Sequence, residues 1–253
     1  MAGRRPIVGG NWKMHTDRGQ ATALLGALRA RLDGLAGVEV VIFPPSAWLT
    51  LAADALAGST LAVGVQNVYW VAEGAFTGEL SAAQLGGVAK WALIGHSERR
   101  HVFNERNEDS GRKLRSVLAA GLAPVLAVGE TREEREAGDT RAVVERQLLA
   151  AFDGVEGLAP GFVVAYEPVW AIGTGLAATA EQAEAAAAIV RDIVRARFGA
   201  ATAEACRVQY GGSVNPANVG GFASRPGIDG ALVGGASLDA DAFAAICRAF
   251  AVS

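Results

Sequence analysis

Cysteine is almost missing from this 253-residue chain, which carries only Cys206 and Cys247. The two form no CxxC pair and have no neighbouring His, which excludes a disulfide framework and a zinc knuckle and fits a reducing compartment. Lysine is scarce as well: Lys13, Lys90 and Lys113 are the only three among 23 basic residues, a bias attributed to genome composition. Charge of one sign is lacking. The 23 Lys and Arg stand against 26 Asp and Glu, a formal net charge of -3, and no basic stripe runs along the chain, so a nucleic-acid partner is not expected. Long hydrophobic runs are lacking too. The longest uncharged stretch, Ala55 to Ala72, contains Ser59, Thr60, Gln66, Asn67 and two glycines, which rules it out as a membrane span. The opening residues MAGRR are basic, but only the five-residue patch Pro6 to Gly10 follows, too short for a signal peptide core, so a cytoplasmic protein without membrane partners is expected.

What is present is apolar and periodic. Hydrophobic residues make up 51% of the chain and charged residues 19%, which excludes disorder and a charged coiled coil. Short apolar runs recur at Ile7-Val8, Val38 to Phe43, Leu61 to Gln66, Trp91 to Ile94, Leu122 to Val128, Phe162 to Glu167, Cys206 to Tyr210 and Gly230 to Val233, giving eight predicted strands. Between them, apolar residues at three- and four-residue spacing predict helices over Thr22 to Leu32, Ala47 to Leu56, Glu108 to Ala120, Glu133 to Phe152, Ala180 to Phe198 and Asp239 to Ala249. Uninterrupted apolar strands imply burial on both faces, hence a parallel sheet covered by helices. The count of eight favours a closed (β/α)8 barrel over an open doubly wound sheet, and no GxGxxG follows the first strand. No linker divides the chain, so residues 1–253 are read as one domain.

In such a barrel the chemistry collects where strands run into helices. Strand one is followed by Gly9-Gly10-Asn11-Trp12-Lys13, strand four by Gly95-His96-Ser97-Glu98-Arg99, and strand six by Glu167-Pro168 and a segment ending Gly173-Thr174-Gly175. Strands seven and eight run into Tyr210-Gly211-Gly212-Ser213 and Gly234-Gly235-Ala236-Ser237. Glu167, closing an apolar run, is either a desolvated general base or a carboxylate that pairs with an Arg; Pro168 keeps it extended at the root of a lid-like loop. His96 precedes a helix start, where the dipole disfavours protonation and a neutral N–H could polarise a carbonyl; the alternative is a hydrogen-bonded turn residue. Lys13 is a point charge for an anion or an ordinary solvated lysine. The glycine-rich turns suit a phosphate held on backbone N–H groups, or merely tight turns. His96 and His101 are five apart, off the spacing of a helical zinc pair, so no metal is expected.

Together these residues resemble the triosephosphate isomerase family, from Gly10-Asn11-Trp12-Lys13 to Leu232-Val233-Gly234-Gly235-Ala236-Ser237. The most specific segments are Ile94 to Arg100, Tyr166 to Gly175 and Tyr210 to Val214. The resemblance implies a TIM barrel without cofactor that interconverts D-glyceraldehyde 3-phosphate and dihydroxyacetone phosphate through an enediolate. It implies Glu167 as base, neutral His96 as electrophile and Lys13 as stabilising cation, with Asn11 positioning substrate and Glu98 pairing with Lys13. The phosphate would rest on Gly173, Ser213, Gly234 and Gly235, with Tyr210 and Ser213 steadying the closed lid. A homodimer is also implied, in which Thr77, on the loop through Gly74 to Glu79, reaches the partner's site. Three departures from the family pattern stand out: Leu176-Ala177-Ala178 after the lid, Ala127 in place of a frequent Cys, and His15 in place of Asn. The alternatives are a phosphate-handling barrel for a larger sugar or indole precursor, which the lid sequence opposes, and a barrel that binds phosphorylated metabolites without turnover, which the presence of Lys13, His96 and Glu167 opposes.

Overall fold

Alternate side chains of a strand face opposite sides, and the apolar runs use both sides. In the computed structural model, which describes residues 3–159, 161–172 and 177–251, the strands are β1 (Ile7–Asn11), β2 (Glu39–Phe43), β3 (Ala62–Val65), β4 (Trp91–Ile94), β5 (Ala123–Val128), β6 (Val163–Tyr166), β7 (Arg207–Tyr210) and β8 (Gly230–Val233). One set of their side chains, including Phe43, Leu93, Val125 and Leu232, forms a separate inner cluster. The other, including Val8, Ile42, Leu126 and Val164, joins the apolar stripes of the helices in the larger core. Each fully buried Leu or Val contributes about 1.5–3 kcal/mol.

The predicted architecture is the one observed: a closed barrel with strands in sequence order and every ladder parallel, in which β1 pairs with both β2 and β8. The closing seam needs a glycine. Gly230 has φ +147°, and a Cβ there would lie 1.7 Å from the Ile7 carbonyl oxygen. Gln209 reinforces the same seam, its Nε2 donating to the carbonyls of Ile7 (3.0 Å) and Ala231 (3.3 Å).

The helices are α1 (Arg18–Leu32), α2 (Leu49–Ala55), α3 (Ser97–His101), α4 (Asn107–Ala119), α5 (Arg132–Glu136), α6 (Thr140–Ala151), α7 (Ala180–Phe198), α8 (Ala200–Ala205), α9 (Val219–Ala223) and α10 (Ala240–Ala251). Two depart from the periodicity reading. α1 starts four residues before the predicted Thr22 because Asp17 and Gln20 form a capping box. The predicted helix Glu133 to Phe152 is two helices, broken where Gly138 turns to φ +82°. The short helices α8 and α9 carry too few residues for a periodic signal, and no helix among the described residues is long and apolar enough to cross a membrane.

Candidate active site

The C-terminal ends of β1, β4, β6, β7 and β8 surround a cavity of about 310 Å³ lined by Asn11, Lys13, His96, Glu167, Ser213, Gly234 and Gly235. These residues are distant in sequence, and closure of the barrel is what brings them together. Of the other predicted site residues, Glu98 lines an adjoining groove of about 260 Å³, and Tyr210 is buried with its hydroxyl against Gly212 of the cavity wall. Thr77 is exposed on the loop after β3, and Gly173 lies outside the described residues.

Lys13 is held in an uncommon backbone conformation, φ +53°, which a non-glycine residue adopts only when its surroundings require it. Two side chains impose it. The Asn11 Oδ1 accepts the Lys13 N–H at 3.0 Å, and the Gln66 Nε2 donates to the Lys13 carbonyl at 2.8 Å and to that of Phe43 at 2.9 Å. The Lys13 ammonium is thereby aimed along the rim, where it pairs with Glu98 at 2.6 Å. Gln66 is the last residue of the predicted strand Leu61 to Gln66 and carries no predicted site role. Its signal was its place, directly after an apolar strand, like every other polar residue of the site.

His96 caps α3. Its Nδ1 accepts the Glu98 N–H at 3.3 Å, a bond that needs an unprotonated Nδ1 and so assigns the proton to Nε2. The Glu98 carboxylate approaches Nδ1 only to 3.6 Å, beyond hydrogen-bond range. Nε2 lies 3.2 Å from Glu167 Oε1, a contact without hydrogen-bond alignment, while Glu167 Oε2 accepts the Ser97 N–H at 2.9 Å. His96 and Glu167 are only 5% and 2% exposed. A buried carboxylate and a neutral imidazole N–H therefore meet inside one cavity, with a lysine ammonium at its rim.

Both ends of the lid are tied down. At its root, the N–H and hydroxyl of Ser213 both donate to the Ala171 carbonyl, at 3.2 and 2.8 Å. At its far end, the Tyr210 hydroxyl accepts the Ala178 N–H at 2.9 Å, and burial pushes that phenol above its ordinary range. The Ser213 N–H, expected to be free for an anion, is engaged with the lid root here. Glu130 is a residue that sequence reasoning passed over. Fully buried after β5, its Oε1 accepts from the Tyr166 hydroxyl (2.8 Å), Trp170 Nε1 (3.2 Å) and Arg135 Nη1 (3.2 Å), tying the lid root to the barrel. Burial, then the Glu130 carboxylate, drives the Tyr166 phenol far above its ordinary range, so it stays a donor.

Comparison with known proteins agrees with this geometry. The family model described as Triosephosphate isomerase matches residues 6–250. Proteins named triosephosphate isomerase from Symbiobacterium thermophilum and Vibrio cholerae are 48% and 47% identical to this chain, each match covering 98% of both sequences. One from Citrifermentans bemidjiense is 46% identical over 97% of this chain and 98% of its own. With barrel, strand-end residues and similarity all in agreement along its length, the chain belongs to the triosephosphate isomerase family.

Proposed function

We propose that this chain is a cofactor-independent enzyme interconverting D-glyceraldehyde 3-phosphate and dihydroxyacetone phosphate. The observation that carries the reading is the opposition of Glu167 Oε1 and His96 Nε2 at 3.2 Å inside the cavity. Glu167 takes a proton from the carbon beside the substrate carbonyl. The His96 N–H donates to the oxygen that gains charge, the Lys13 ammonium stabilises the enediolate, and Glu167 returns the proton to the neighbouring carbon. No electron leaves the substrate, so no redox cofactor is needed. Glu167 Oε2 accepts the Ser97 N–H and Oε1 lies 3.2 Å from His96 Nε2; with substrate bound, the carboxylate gives up Ser97 and turns toward carbon while the His96 N–H turns to the substrate oxygen. The phosphate is held by the N–H groups of Gly234 and Gly235, and, when the lid closes, by Gly173 and by Ser213, whose N–H must first leave the Ala171 carbonyl. Asn11 acts through the Lys13 backbone.

The working unit is a homodimer in the cytoplasm. What supports it is the groove beside the site, rimmed by Met14 and Phe103, which are 95% and 64% exposed. The loop carrying Phe76 and Thr77 is the segment of a second copy that would fill it. Such apolar exposure beside a catalytic rim is costly for a monomer. The expected outcome is a sedimentation mass of twice the chain, with specific activity falling on dilution as dimers separate.

The decisive assay is the initial rate of D-glyceraldehyde 3-phosphate conversion by metal-stripped protein. Rapid turnover insensitive to chelator is expected; a folded protein that binds phosphate without conversion would overturn the reading.

A further inference from the structure

Two side chains behind the cavity tie back the carbonyl groups of its turns. After β7, Asn218 Nδ2 donates to the Ser213 carbonyl at 3.0 Å. Its orientation is set by its own Oδ1, which accepts the Asn215 N–H at 2.8 Å, while Asn215 Oδ1 accepts the N–H groups of Ala217 and Asn218 at 2.9 and 3.1 Å. After β8, the fully buried Ser237 donates its hydroxyl at 2.6 Å and its N–H at 2.8 Å to the Gly234 carbonyl. Neither Asn218 nor Ser237 lines the cavity, whereas Ser213, Gly234 and Gly235 do.

A peptide plane in a glycine-rich turn can rotate at little steric cost. The C=O and N–H of one trans peptide point in opposite directions, so rotation of the Gly234–Gly235 peptide would turn the Gly235 N–H away and present a carbonyl oxygen to the cavity. An oxygen lone pair there repels an anion, and the lost donor is one it needs. Rotation of the peptide after Ser213 would likewise aim the Ser213 carbonyl inward and turn away the N–H of Val214, which also lines the cavity.

We propose that Asn218 and Ser237 are positioning residues for phosphate recognition, holding these two carbonyls outward so that the turns present N–H groups to the substrate phosphate. The proposal rests on the phosphate-binding role proposed above and assigns it two further residues that touch no substrate. Their contribution is selective: it belongs to the phosphate end of the substrate and leaves the reacting carbons alone.

The test uses Asn218→Ala and Ser237→Ala in the full chain, with melting temperature as the control for folding. Inorganic phosphate is titrated by phosphorus NMR, and kcat and KM are measured for D-glyceraldehyde 3-phosphate and for unphosphorylated D-glyceraldehyde. For Asn218→Ala the phosphate dissociation constant and the KM for the phosphorylated substrate are expected to rise about tenfold, the factor of one lost hydrogen bond. For Ser237→Ala the rise is smaller, since its N–H still holds Gly234. KM rises more than kcat falls, and kcat/KM for D-glyceraldehyde stays within about twofold. Folded variants that bind phosphate as tightly as the parent, or that lose both substrates in equal proportion, would overturn the proposal. A parent protein that binds phosphate but does not isomerise would overturn the functional reading while the titration still decides the inference; a parent that binds no phosphate overturns both.

Discussion

At the scale of single residues, two backbone positions near the site carry opposite lessons. Lys13 at φ +53° is held in place by Asn11 and Gln66, and its conformation serves to aim the ammonium. Thr16, a β-branched residue at φ +79°, has a buried hydroxyl with no hydrogen-bond partner and serves no purpose visible in the site. Its carbonyl accepts from Trp48 Nε1 at 3.2 Å, a bond that glycine would keep. Replacing Thr16→Gly removes the left-handed strain at some cost in chain entropy, and a net gain of about 1 kcal/mol is expected from urea unfolding. Glu167 tests geometry rather than strain. Glu167→Asp draws the carboxylate back by one methylene while keeping its charge, so kcat should drop by about 10² or more with phosphate affinity unchanged. Turnover near the parental rate would remove Glu167 from the proton transfer.

At the scale of elements, the strands were legible in the sequence and several helix boundaries were not. Apolar runs as short as Trp91 to Ile94 mark β4 to the residue, because both faces of a barrel strand are buried and most of its positions are apolar. Helix boundaries depend on caps and breaks: the Asp17 capping box extends α1 backwards, and Gly138 divides the predicted Glu133 to Phe152. The weakest ladder is β7 with β8, which holds a single register pair, Tyr210 with Ala231. Gln209 reinforces it by donating to Ala231 of β8 as well as to Ile7 of β1, while the neighbouring β8–β1 seam depends on the absence of a side chain at Gly230. Gly230→Ala should therefore lower stability by more than about 3 kcal/mol, since the new methyl overlaps a backbone carbonyl that cannot move without opening the barrel. A denaturation midpoint close to the parent's would show that the seam can give.

At the scale of the whole molecule, both thiols lie in the outer core between barrel and helices. Burial pushes Cys206 up to about 12 and Cys247 higher still. A thiol that ionises more easily unfolded than folded stabilises the native state fully below its unfolded value, and that stability is lost as pH rises toward the folded one. Stability should thus decline from about pH 9 upward. A thiol-specific reagent at neutral pH should label neither cysteine until the protein is denatured, when both react; labelling in the folded state would contradict the burial. The sequence by itself determined the alternation of strand and helix, the parallel sheet, and the polar residues at the strand ends, because periodicity and strand-end position are local properties of the chain. It also carried the family motifs that single out Glu167, His96 and Lys13. Only the tertiary structure decided which groups meet: that His96 Nδ1 accepts the Glu98 N–H and Nε2 lies against Glu167, that Gln66 sets Lys13, that Glu130 grips the lid root, and that Ser213 donates to Ala171. Apart from the local His96–Glu98 bond, each of those contacts joins segments 40 or more residues apart, and its distance is fixed by barrel closure, which no local pattern records.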